Sequence, residues 1–564
     1  MALPEIEGDM LSRLRNRLES WGDQMFFVAF FVLAVVPPLF YLNQPLLHDE
    51  MAYLVIGREL ALGGTLYAGV ADHKTPAIFY LTALLWETTP EPYIAGRIVV
   101  YTVDAVTALL VFRLGSGWGR TVGAVASLAY LAGVYGPVFE GYILMTEPFA
   151  AMFLTGAALC LFAERRGTDL LAGLLLACGV LFNQTTLLFG AVIIGWSLAR
   201  LWGRETTLAE VAVRYGLIGT AFVTLLGLPA LIAATQGTLE DMVWYTFVLP
   251  LNYYNTPYFL EGQLSSAASY LPVWLLATGT ALCVFRSLLS RSFDTRLALL
   301  SLWLFILAIP GLRAFHGGHR YIFIMPAAAV LAGVGLHRVV EFLRSEPTEV
   351  SRGWLAGLTL AATVSVAILL MRVDGTQYML LMEVGLAGAF LGAMALSYET
   401  FRLTSRVGQL NTSQWIALVV GIFLVLTTVG GAVGINGVSA VLHADDGVQT
   451  QQATAENLDE VVDGRFYALA PPLSYELAYF GEARPARTFI AAPYGEPLAE
   501  RVVTTLERDE VDYVLIKKGQ VDDGRIDPDH GYYAGPRRTV VAYVEANYEP
   551  VGEREGYVIY ERVP

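Results

Sequence analysis

Apolar residues in this chain neither alternate nor form narrow stripes; they run in long blocks separated by short polar turns. Blocks of about 20 apolar residues match a helix crossing the hydrocarbon core of a bilayer. The pattern predicts thirteen spans, at 25–42, 94–114, 120–137, 147–163, 170–184, 186–201, 212–234, 268–287, 296–312, 320–340, 354–371, 378–397 and 413–437. The apolar run at 76–86 is only 11 residues. It is too short to cross and reads as an interfacial or re-entrant helix within the first outer loop, 43–93. After residue 437 the periodicity changes. Runs at 465–470, 513–516 and 556–560 read as strands, and 498–508 has helical spacing between turns rich in Gly, Pro and Asp. The expected fold class is a polytopic α-helical membrane protein with a small C-terminal α/β domain. Its parts are a polar N-terminal segment (1–24), a transmembrane domain (25–437) and the α/β domain (438–564).

Composition agrees with that division. Of 564 residues 55% are hydrophobic and only 15% charged, and the mean hydropathy is +0.52, outside the range of a soluble globular chain. Residues 1–24 carry mixed charge and the run after them is long enough to span, so no cleavable signal is expected. Cys160, Cys178 and Cys283 fall in apolar spans and imply neither disulfides nor a cysteine metal site. The net charge of −15 is concentrated at the end, where about 23 acids face about 12 bases after residue 443. Lysine occurs only at Lys74, Lys517 and Lys518. An acidic, lysine-poor exposed domain suits a high-salt, haloarchaeal habitat, where screening is strong. No basic stripe of the kind nucleic acid requires is present, nor a P-loop or G-x-G-x-x-G.

Arginine distribution orients the spans. Arg113, Arg120, Arg165, Arg166, Arg200, Arg204, Arg214, Arg286, Arg291, Arg296, Arg338, Arg344, Arg352, Arg402 and Arg406 all fall on one side. By the positive-inside rule that side is cytoplasmic. The loops at 43–93, 138–146, 235–267, 313–319 and 372–377 then face outward with the C-terminal domain.

Those outward loops hold an unusual inventory: Asp49, Glu50, Arg58, Asp72, His73, Lys74, Arg97, Glu140, Glu147, Arg313, His316, His319 and Arg320. Charge beside lipid is costly, so a cluster of it marks function. Carboxylates can take a proton from an attacking hydroxyl, while arginine and lysine stabilise charge growing on a phosphate. Each residue also has a plainer reading. Asp49 and Glu50 can be solvated loop acids, Lys74 a snorkelling anchor and Arg97 the anchor of the second span. Glu147 can be a buried hydrogen-bonding group. Four cations within 313–320 are too many for an anchor. His48 and His73 with Asp72 or Glu140 are the candidate set for a divalent metal, although their spacing fits no specific ligand pattern. The aromatic loop around Trp244, Tyr245, Phe247, Tyr253 and Tyr254 reads as an interfacial belt or a sugar or lipid platform.

Leu46-Leu47-His48-Asp49-Glu50-Met51-Ala52-Tyr53, Gly63-Gly64-Thr65-Leu66-Tyr67 and His73-Lys74-Thr75-Pro76-Ala77-Ile78-Phe79-Tyr80 resemble the first outer loop of the GT-C glycosyltransferases. The nearest group is the protein mannosyltransferase and aminoarabinose transferase type, where an Asp-Glu pair after span one precedes a Lys-Pro-Pro-Leu-like segment. Here that segment is Lys-Thr-Pro-Ala. Glu147 in Leu144-Met145-Thr146-Glu147-Pro148 matches an acid often found at the start of span four. Phe182-Asn183-Gln184-Thr185-Thr186 stands where many members carry a lysine, and His319-Arg320-Tyr321 with Pro326 resembles a further outer segment.

The resemblance implies a sugar transferase using polyprenyl- or dolichyl-phosphate donors and a glycan or protein hydroxyl acceptor. Asp49 would be the base, with Glu50 orienting the acceptor or holding Asp49. Lys74, Arg58, Arg97, Glu147, Arg313, His316, His319 and Arg320 would bind the donor and its phosphate. A hexose such as mannose, inversion and an outer-face site are the expected details, with no cofactor beyond a divalent metal. Three other classes share the hydropathy. A lipid-linked sugar flippase would place charge at mid-membrane on broken helices, often with internal repeats, neither of which this chain shows. A non-catalytic glycan-assembly protein would work through its C-terminal domain. An oligosaccharyltransferase would carry a Trp-Trp-Asp-like motif in that domain, and none is present.

Overall fold

The computed structural model describes residues 30–31, 34–35, 41–42, 44–68, 72–135, 141–253, 270–289, 291, 293–313, 318–344, 447–469, 471–481, 483–486, 496–508, 511–522, 525–527 and 534–563. Among them, Pro92–Trp118, Thr146–Ala163, Gln184–Trp202, Leu208–Thr235 and Arg320–Arg338 are helical stretches long and apolar enough to cross a membrane. Arg120–Val134, Val273–Leu289 and Thr295–Ile309 are apolar helices of shorter length, and Arg166–Phe182 completes the described bundle. The expected spans at 354–371, 378–397 and 413–437, and most of 25–42, lie outside the described residues.

Local chemistry sets several helix starts. Pro92 occupies the first turn of Pro92–Gly115, where its missing N–H costs nothing. Leu208–Thr235 opens with a capping box: the Glu210 amide donates to Thr207 Oγ1 and the Thr207 amide donates to Glu210 Oε2 at 2.8 Å.

Side-chain contacts sort the turns into two ends. At one end Arg200 pairs with Glu164 at 2.9 Å and Arg214 with Asp169 at 2.6 Å. There Trp118 Nε1 donates to Asp294 at 2.7 Å, and Arg291 lies 4.4 Å over Trp202. These are the arginine-rich turns. The opposite end gathers residues 44–76, 141–147, 182–184 and 239–253 with the C-terminal domain.

Among the described residues the segment 44–91 is itself mostly helical. His48–Ala61 packs on Ala77–Thr88, and the second helix, 12 residues long, spans about 18 Å at 1.5 Å per residue, well short of a bilayer core. Thr82 Oγ1 donates to the Tyr53 carbonyl at 2.8 Å and Trp86 Nε1 to the Leu54 carbonyl at 2.6 Å. Gly57 permits this approach, because a Cβ there would sit 2.7 Å from the Ala83 amide nitrogen.

The C-terminal domain is a mixed sheet with helices. Its strands are β1 (Arg465–Ala468), β2 (Arg484–Pro485), β3 (Tyr513–Lys517), β6 (Tyr548–Arg554) and β7 (Tyr557–Arg562), in the order β2-β1-β3-β7-β6. β4 (Val521–Asp522) and β5 (Arg525–Ile526) form a separate ribbon. β1 runs parallel to β2 and β3, with Phe466 opposite Tyr513. β7 pairs antiparallel with β3 and β6, and the second ladder shifts register between Pro550 and Gly552. Val514, Ile516, Val558 and Tyr560 fill a core against the helices Glu496–Arg508 and Ala534–Asn547. The strands expected around 465–470, 513–516 and 556–560 and the helix at 498–508 are all present.

Candidate functional site

Asp49 and Glu50 occupy the first turn of His48–Ala61, where the helix N-terminus favours negative charge. Their surroundings differ. Asp49 is half-buried. Glu50 is fully buried and grips Arg97 through two bonds, Nε to Oε1 at 2.9 Å and Nη2 to Oε2 at 2.7 Å. Oε1 also accepts from the Leu144 amide at 3.2 Å.

Arg97 spends its remaining donors on backbone. Nη1 reaches the carbonyls of Tyr41, Leu42 and Gln44 at 2.8 Å each, and Nη2 reaches that of Pro45 at 3.1 Å. A bidentate carboxylate and four carbonyls engage every nitrogen of the guanidinium. Every guanidinium nitrogen of Arg97 is engaged within the protein, which matches its reading as an anchor of its helix, and the burial of Glu50 matches the reading in which it holds the Asp49 helix. Together they fasten residues 41–45 and the start of the helix that carries Asp49 to the helix Pro92–Gly115.

Lys74 enters from the second part of the loop. Its Nζ meets Glu147 Oε1 at 3.4 Å, both side chains being buried. Glu147 also accepts from Thr146 Oγ1 and Asn183 Nδ2, each at 3.0 Å. The turn between Arg166–Phe182 and Phe189–Trp202 takes part a second time, since Gln184 Nε2 donates to the His73 carbonyl at 2.9 Å. Asn183 and Gln184 give this turn neutral donors, and the cation beside Glu147 is Lys74.

The stretch before Lys74 is fixed by its own side chains. Asp72 Oδ1 accepts from the Lys74 amide at 2.9 Å and lies 3.2 Å from His73 Nδ1. Burial opposes ionisation of Asp72, but His73 and Lys74 outweigh it and hold the carboxyl below its ordinary range. Tyr67 has a φ of 68°, unusual for a bulky residue. Its hydroxyl donates to the Lys74 carbonyl at 2.9 Å and its ring stacks on Tyr245 at 6.4 Å. Burial, with Asp72 nearby, raises the Tyr67 phenol well above its usual value, so it remains a donor.

Arg320 is half-buried in the 3₁₀ turn Gly318–Ile324, which packs on Thr146–Ala163. Arg313 ends the helix Thr295–Arg313. Its side chain, those of His48 and His319, all of His316 and Glu140, and the side chains of 252–269 lie outside the described residues. Arg58, expected among the donor-binding cations, is placed elsewhere: its Nη1 donates to the carbonyls of Ala478 at 2.8 Å and Gly481 at 3.3 Å in the C-terminal domain. Among the described residues no three of His, Cys, Asp or Glu come together as a metal site.

Sequence reasoning missed the contribution of the C-terminal domain. Gln451 brackets the Leu46 backbone, accepting from its amide and donating to its carbonyl, both at 2.9 Å. Tyr479 packs on Trp86 with ring centroids 5.5 Å apart. Arg501 pairs with Asp241 at 3.0 Å and lies 4.1 Å over Trp244.

No protein-family model matches the chain, and no curated protein matches it significantly. Solved structures do. The crystal structure of ArnT from Cupriavidus metallidurans bound to undecaprenyl phosphate superposes with a TM-score of 0.53 at 16% identity, covering 95% of this chain and 98% of that one. The apo form of the same protein gives 0.54 at 16% identity, over 96% and 98%. Near-complete coverage of both chains extends the likeness from the helical bundle through the C-terminal domain. The chain therefore shares the fold of these ArnT structures.

Proposed function

We propose that the chain transfers a sugar from a polyprenyl-phosphate carrier to a hydroxyl of a glycan or protein, with inversion, at the outer membrane face. The observation that supports this reading is that Asp49 stands in the first turn of the helix His48–Ala61 while Lys74, from the same loop, reaches into the bundle at Glu147. In the reaction Asp49 takes the acceptor hydroxyl proton as that oxygen attacks the anomeric carbon. The bond from that carbon to the phosphate oxygen breaks, and its electron pair stays on the lipid phosphate. Lys74 and Arg320 stabilise the charge that develops there. Attack opposite the leaving phosphate inverts the anomeric centre.

The arginine-rich turns lie opposite the site, so the positive-inside rule supports an extracytoplasmic site. The resemblance of the first-loop motifs suggests a hexose such as mannose on dolichyl phosphate as the donor. Membranes containing the wild-type chain, supplied with labelled polyprenyl-phosphate mannose, should yield labelled product, and Asp49→Asn membranes should not. Full transfer by Asp49→Asn would remove Asp49 as the base.

A further inference from the structure

The helix His48–Ala61 starts without a cap of its own: Leu47 stands at its N-cap with no side-chain hydrogen bond to the first turn. A helix beginning on an apolar residue leaves its start weakly specified. Here the C-terminal domain supplies what the local sequence lacks. Gln451, 405 residues away, accepts from the Leu46 amide and donates to the Leu46 carbonyl as a neighbouring strand would, and its Nε2 donates in turn to Glu476 at 3.0 Å. Gly447 lets the same helix close on the chain, since a Cβ there would lie 2.6 Å from Pro45 Cδ. Arg58 and Trp86 extend the contact over the next turns.

A second arm of the domain touches the Lys74 side. Arg501 pairs with Asp241 and stacks on Trp244 and, at 5.3 Å, on Tyr245. Trp244–Val248 is a π-helical turn, a feature frequent at functional sites. Tyr245 stacks on Tyr67, and the Tyr67 hydroxyl holds the Lys74 carbonyl. The domain thus grips both strands of the first loop, one just before Asp49 and the other, through two aromatic rings, at Lys74.

We infer that the C-terminal domain is a positioning device for the reaction: Gln451 sets the placement of the Asp49 helix, and Arg501 that of the Lys74 segment. Gln451 and Arg501 are positioning residues that touch no reacting atom. The inference rests on the reading of Asp49 as base and Lys74 as phosphate ligand. A misplacement of about 1 Å can lower a rate a hundredfold, so the two arms should separate kinetically. Gln451→Met disturbs the base and should lower kcat about tenfold with donor KM within twofold. Arg501→Met disturbs the phosphate ligand and should raise donor KM about fivefold with kcat within twofold. Gly447→Ala, which wedges the first arm open without removing a hydrogen bond, should follow Gln451→Met. Lys518→Ala, at an exposed pair within the domain, should change neither constant.

Hydrogen exchange of the full chain tests the clamp without any reaction. Gln451→Met should speed exchange in 48–54 and leave 72–80 unchanged, and Arg501→Met should do the reverse. Wild-type exchange in both variants, or wild-type kcat in Gln451→Met, overturns the inference. Altered exchange in a chain whose wild type transfers no sugar overturns the reaction and leaves the clamp standing.

Discussion

Two buried acid–base pairs fasten the segment 44–76 to the bundle, and they are built differently. Glu50 and Arg97 form a saturated pair, with two mutual bonds and further partners for both residues in backbone. Lys74 and Glu147 share one contact of 3.4 Å, and three donors converge on Glu147. A buried ion whose every hydrogen-bonding group is met serves architecture, because nothing remains to offer a substrate. A lysine holding a single long contact can exchange it for a phosphate oxygen at little cost. Under the proposed function the difference divides the loop: one half would fix the scaffold and the other would meet the donor.

Breaking the saturated pair should have the largest effect. Arg97→Met leaves the Glu50 carboxylate buried without its cation, a loss of about 3–5 kcal/mol. The variant is expected to melt far below wild type or to fail to accumulate, and a wild-type melting profile would show that the pair is no scaffold. Next comes Gly57→Val. It forces apart the helices His48–Ala61 and Ala77–Thr88 at an overpacking cost of about 1–3 kcal/mol, read as a lower melting temperature, with transfer reduced in proportion to the displaced Asp49.

Acid should loosen the Lys74 side selectively. The folded state holds the Asp72 carboxyl below its unfolded value, so its stabilising effect is present above about pH 4 and is lost as pH falls through the lowered value. In melts taken from pH 7 downward, Asp72→Asn should track below wild type at neutral pH and converge with it in acid. Parallel curves would deny Asp72 that role. The smallest effect belongs to Lys518→Ala, whose exposed partner Glu553 contributes within about 0.5 kcal/mol.

Much of this was legible in the chain. Block length marked the apolar helices of the described bundle, arginine placement separated the two ends, and the gathering of Asp49, Lys74 and Glu147 at one end followed from their loops. Pairing was not legible. Residue type tells that Arg97 and Arg58 are unusual near lipid but not that the first would be consumed by Glu50 and four carbonyls, or that the second would bind a domain 420 residues away. Gln451 carried no signal at all, since an uncharged glutamine on an exposed-looking helix is ordinary. Its meaning lies in the uncapped start of the helix it supports.

The central claim is that Lys74 meets the donor phosphate and is not scaffold. The most direct measurement compares purified Lys74→Met with wild type for melting temperature and for binding and transfer from a polyprenyl-phosphate sugar. Glu147 keeps its bonds from Thr146 and Asn183 in the variant. Stability should therefore fall by only about 1–2 kcal/mol, while transfer falls on the order of 10²–10³-fold and donor binding weakens with it. A variant that unfolds as Arg97→Met should, or that binds and transfers the donor as wild type does, would contradict the account.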